Sequence, residues 1–150
     1  MFETGETGTK SMNPLTKNQA QSLSESFEIV NLDKVKFAEL VFSFLKFNHP
    51  KYENIFTVLK IDDVRSFMGS AREVVTSCSH DFLFPKAVRN FGSECLKICG
   101  RPEDILHLEK AWIFGLEEWL GPWHTLEIEE SWKEVFNVTY LSLNETLQWS

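Results

Sequence analysis

His49-Pro50-Lys51-Tyr52-Glu53-Asn54-Ile55-Phe56 interrupts two runs of helical periodicity. A proline cannot continue the helix before it, because it offers no backbone N–H and its ring clashes with the preceding turn. Upstream, Phe37, Leu40, Val41, Phe44, Leu45 and Phe47 give one broad apolar face, so a helix is expected from the Asp33 cap to just before Pro50. Downstream, Val64, Phe67, Met68, Ala71, Val74, Val75 and Cys78 recur at spacings of three and four. They predict a helix over 62–79 with one buried stripe. The octapeptide is therefore a corner between two helices.

Working outward, Thr16 is a suitable cap for a first helix carrying Leu23 and Phe27 to about Val30. Beyond Pro85, Ala87, Val88, Phe91, Cys95 and Ile98 predict a shorter helix that breaks at Gly100. Pro102 suits the first turn of the next, in which Ile105, Leu108, Ala111, Trp112, Leu116 and Trp119 share a face up to Gly121-Pro122. Thr125 caps a final helix bearing Ile128, Trp132, Val135, Phe136, Thr139, Tyr140, Leu143 and Leu147. No repeat and no strand-like alternation of useful length occurs. Residues 1–13 are polar and without periodicity, so they read as a tail, leaving 14–150 as one all-α domain of six to eight helices around a central pocket.

Composition limits the function. A chain of 150 residues suits one domain, which buries about 70 % of the surface its unfolded chain exposes. Thirteen Phe and five Trp against two Tyr make the apolar volume largely aromatic without hydroxyls. Fifteen basic against 22 acidic side chains, with a net charge of -7 and no basic run, argue against nucleic acid as a partner. No segment reaches the length of a signal-peptide core or a membrane span, so a cytoplasmic protein is expected. Cys78, Cys95 and Cys99 are then free thiols, and the sequons at Asn137 and Asn144 are chance matches. No Ser/His/Asp arrangement or carboxylate pair suggests an enzyme.

The order of these elements resembles the globin family from Leu15 to Gln148. Phe27, twelve residues after Leu15, looks like the aromatic of that family's first helix, where Trp is common. His49-Pro50 followed by Phe56 and Leu59 is similar to its interhelical corner, in which the phenylalanine lies against haem. The long helix after Pro102, the Gly-Pro corner and Ile128-x-x-x-Trp132 are similar to its closing pair. The resemblance implies that Ala38 and Ala71 meet at a helix crossing, and that Phe42, or Val41, lies over the distal side of a haem. It sets Ser70 where many globins keep a distal histidine, with Val74 or Val75 lining the next turn. Counting back from Pro102 to the proximal position gives Cys95 or Glu94, with Phe91 one turn earlier. Cys95 is thus the implied iron ligand where the family has His, a thiolate that would favour redox chemistry over oxygen carriage. A buried Cys that simply packs as a small hydrophobe is the competing explanation.

The chain has two candidate functions. One is a haem-associated globin with altered ligation, acting on a diatomic gas or as a redox sensor. That is the function the resemblance implies, and the alternative to it is a haem-free globin-fold interaction or signalling module, with a protein partner or a second copy. An unfilled pocket of roughly 300 Å³ would cost about 7 kcal/mol at about 24 cal/mol per Å³, comparable with a whole domain's stability. The second therefore needs its space filled, for which Phe42, Phe44, Phe67, Phe82, Phe84, Phe91 and Phe114 are available. His49, His80, His107 and His124 are expected to be ordinary, with His49 facing solvent.

Overall fold

Side-chain caps set the starts of three helices. A computed structural model describes residues 15–144, and within it α1 (Lys17–Val30) begins with a reciprocal capping box. Thr16 Oγ1 accepts from the Gln19 N–H at 3.1 Å and Gln19 Oε1 accepts from the Thr16 N–H at 2.9 Å. Asp33 accepts from the Lys36 N–H at 3.2 Å to open α2 (Lys34–Asn48). Thr125 accepts from the Ile128 N–H at 3.1 Å to open α7 (Leu126–Leu143). Between them lie the single turn α3 (Ile55–Val58), α4 (Ile61–Thr76), α5 (Phe84–Cys99) and α6 (Ile105–Leu120). All regular structure among the described residues is helical.

The corners are 3-10 turns at Asn31–Asp33, Pro50–Tyr52, Pro102–Asp104 and Gly121–Trp123. Proline opens two of them, where its missing N–H would be unpaired in any case. Gly100, with φ of 85°, and Gly121, with φ of 54°, end α5 and α6 in a backbone region that side chains resist. Pro102 therefore starts a 3-10 turn, and the α-helix proper begins at Ile105. The tail expected over 1–13, and Leu147 and Gln148, lie outside the described residues.

α2 lies along α6, α4 along α5, and α7 covers both α1 and α5. The α2/α6 contact is closest at Gly115, where an added Cβ would stand 3.0 Å from Val41 Cγ2 and 3.2 Å from Phe37 Cε1. Gly92 on α5 gives α7 the same access, with Leu143 Cδ2 3.0 Å from such a Cβ. Ala38 and Ala71 are fully buried on α2 and α4, which are in contact.

One aromatic network runs through the centre. Trp132 is fully buried, lies 4.9 Å from Trp112 between ring centroids, and donates its Nε1–H to Ser26 Oγ at 2.9 Å. Trp112 meets Phe37 at 5.0 Å and Phe67 at 5.8 Å, both edge to face, the arrangement that ring quadrupoles favour. Its Nε1–H is buried and finds no hydrogen-bond partner among the described residues. Phe82 was expected to help fill the core, but it is 96 % exposed at the turn before α5.

Candidate functional site

Phe42 (α2), Val74 (α4), Phe91 and Cys95 (both α5) are all buried, so four of the residues that the globin resemblance marks do face the interior. Phe67 joins two of them. Its ring centroid is 5.9 Å from that of Phe42 and 5.7 Å from that of Phe91, and the latter pair is stacked. Phe91 continues edge to face onto Phe136 of α7 at 5.5 Å. The rings fill the space between α2, α4, α5 and α7 by direct contact.

Of the other marked residues Ser70 is also buried, Glu94 is half-buried and Phe56 is exposed. Phe56 is 47 % exposed, with Lys46 Nζ 5.8 Å from its ring centroid, so the expected inward orientation is corrected. α3 is only one turn, and it turns Ile55 inward in its place. Ser70 donates its hydroxyl to the Phe67 carbonyl at 2.7 Å, which turns the group back onto its own helix. Glu94 pairs with Lys97 at 3.1 Å along α5.

Cys95 is wholly buried, and burial pushes its thiol well above the ordinary range, with the neighbouring Cys99 and Glu94 acting in the same direction. A metal-binding cysteine is a thiolate, and cationic or polar surroundings are what lower a thiol's pKa. Here the surroundings are apolar. The Cys99 thiol donates to the Cys95 carbonyl at 3.1 Å and carries no ligand role with it.

A haem would have to lie among these side chains. α4 and α5, the distal and proximal helices of the resemblance, pack on each other, and Phe42, Phe67 and Phe91 touch where the ring would lie. The residues present do not fit that group. A polar cleft of about 560 Å³ does open at the surface along α4 and α5, at Ser66, Gly69, Ser70, Glu73, Asn90 and Ser93, but none of the aromatic core residues lines it.

A second cluster was not legible in the sequence. At the Pro50 corner His49 is half-buried, not solvent-facing, and stacks on His107 with centroids 3.8 Å apart and planes 20° apart. Tyr52, buried, has its hydroxyl 3.3 Å from His107 Nδ1. Burial is the main reason its phenol resists ionisation. Asp104 is buried beside it and is held by Lys51 Nζ at 2.5 Å and Arg101 Nε at 3.1 Å. Those bonds lower its pKa to about 2. Lys51 also donates to the Cys99 carbonyl at 2.8 Å, an acceptor that the end of α5 leaves free. The cluster ties the corner after α2 to the end of α5 and the start of α6. Its members lie about fifty residues apart in the chain, so no spacing rule could group them.

The sequence matches no protein-family model and no curated protein.

Proposed function

We propose that this chain is a haem-free interaction module built on a globin-like helical plan. The observation that carries the reading is the Phe42–Phe67–Phe91 contact at the place where the resemblance puts the cofactor. The plan itself is supported by the element order, by the corners at Pro50, Pro102 and Gly121-Pro122, and by Trp132 buried in the final helix. Filling the centre with side chains avoids the cost of an empty cavity and removes the need for a prosthetic group.

Function then lies on the surface. Phe47, Phe82 and Trp123 are 92 %, 96 % and 71 % exposed, an apolar display that suits contact with another protein or a second copy. Haemin added to the purified chain tests the haem-free part: no saturable absorption change is expected, and a spectrum that saturates at one haem per chain overturns it. Sedimentation of the wild type against Phe47→Asp tests self-association, since a dimer that buries Phe47 would dissociate in the variant.

A further inference from the structure

The corner between α6 and α7 brings together three side chains that the sequence gives no reason to group. Glu117 comes from the last turn of α6, His124 follows the Gly121–Trp123 turn, and Glu129 lies in the first turns of α7. One donor atom from each lies within 4.8 Å of the other two, and no other such trio of His, Cys, Asp or Glu occurs among the described residues. We propose that Glu117, His124 and Glu129 form a binding site for a divalent transition-metal ion of the zinc type, clasping the α6–α7 corner.

The His124–Glu129 spacing suits two donors that share a metal ion. His124 Nε2 is 3.3 Å from Glu129 Oε1, long for a charge-assisted hydrogen bond. Two donors held at about 2.05 Å by one tetrahedral zinc stand about 3.3 Å apart. Nε2 is the ring nitrogen turned to Glu129, while Nδ1 is buried without a hydrogen-bond partner among the described residues. Lys133 holds the other Glu129 oxygen at 2.9 Å, which fixes the carboxylate with Oε1 turned to His124. Glu117 is exposed, and its carboxylate donor lies within 4.8 Å of those of His124 and Glu129.

The donor set selects the ion. An imidazole nitrogen with two carboxylates is poor for calcium or magnesium, which take oxygen ligands alone, and suits zinc with water in a fourth position. The site joins α6 to α7 across the glycine corner, so the bound ion stabilises the folded state in proportion to its occupancy.

Zinc chloride titrated calorimetrically into the metal-stripped full chain at pH 7.5 tests the site, with thermal unfolding read in parallel. The expected result is one zinc per chain and a raised unfolding temperature, with affinity lowered ~10-fold or more in both Glu117→Gln and His124→Gln. Magnesium should give no response. The proposal is overturned if no saturable binding occurs, or if zinc binds both variants as it binds the wild type. It is equally overturned if binding survives them and is lost in Cys99→Ser, which would put the ion on the thiols. Glu117 is exposed, so Glu117→Gln keeps the test open even if His124→Gln unfolds.

Discussion

The ring of Phe67 on α4 stacks on that of Phe91 on α5, with centroids 5.7 Å apart and 23° between the planes. This contact closes the space between two helices that would otherwise have to open around a ligand. Phe67→Ala or Phe91→Ala should each cost about 3–5 kcal/mol, measured by urea unfolding, because the surrounding rings are already in contact and cannot collapse far. A cost below about 1 kcal/mol would mean that the site repacks freely.

The bond from Trp132 Nε1 to Ser26 Oγ fastens α7 to α1 in the interior. Ser26→Ala leaves the indole N–H buried without an acceptor, at an expected cost of about 1–3 kcal/mol. Trp132→Phe removes the donor and some volume. The double variant should be more stable than the sum of the two single losses, since the unpaired group is then gone. Strict additivity in the unfolding free energies would show that the bond contributes nothing.

Two glycines, one on α6 and one on α4, should respond with opposite signs. Gly115→Ala places a Cβ 3.0 Å from Val41 and 3.2 Å from Phe37, both fully buried, and overpacking of this kind costs about 1–3 kcal/mol. Gly69→Ala meets nothing within 4 Å in the interior of α4, so it should stabilise by about 0.5–1 kcal/mol through helix propensity alone. The unfolding midpoints of the two variants should bracket that of the wild type.

The Pro50 corner sets a pH dependence with two parts. Asp104 has its folded pKa lowered to about 2, first by the bond from Lys51 and then by that from Arg101. Its contribution is fully present above the unfolded value of about 3.9 and is lost as pH falls toward the folded one. His107 is also lowered, chiefly by burial and then by His49, so the neutral ring is the folded form. The unfolded chain then takes up a proton near pH 6.5 that the folded chain does not, and stability falls as pH drops below about 6.5. His107→Asn should flatten the mild-acid limb of unfolding free energy against pH, and Asp104→Asn the limb below about pH 4.

Much of the fold was written locally. Thr16, Asp33 and Thr125 bond the N–H three residues on, and Pro50, Gly100 and Gly121 terminate or turn the chain by their own backbone limits, so neighbouring residues sufficed. α4 ends at Thr76, short of the expected Ser79, and the hydroxyl and thiol side chains at this end bond backward onto its last turn. Thr76 donates to the Glu73 carbonyl, and Ser77 and Cys78 to that of Val74, in competition with the main chain. Phe56 and Phe82 were misread for another reason. Residue type says that a phenyl ring gains by burial, but which rings reach the core depends on how the short segments around them are oriented. The His49–His107 stack and the Glu117–His124–Glu129 trio needed the corners in three dimensions.

Haemin titration of the wild type beside Cys95→His is the most direct measurement of whether the centre is filled. The substitution supplies the donor that the globin resemblance lacks at the proximal position and leaves Phe42, Phe67 and Phe91 in place. A filled core predicts no saturable Soret band in either protein, with near-ultraviolet circular dichroism confirming that the variant keeps its aromatic packing. One haem bound per chain in the wild type would contradict that account outright. Uptake by Cys95→His alone would contradict it as well, because it would mean that the aromatic stack yields to a cofactor whenever a ligand is there to hold it.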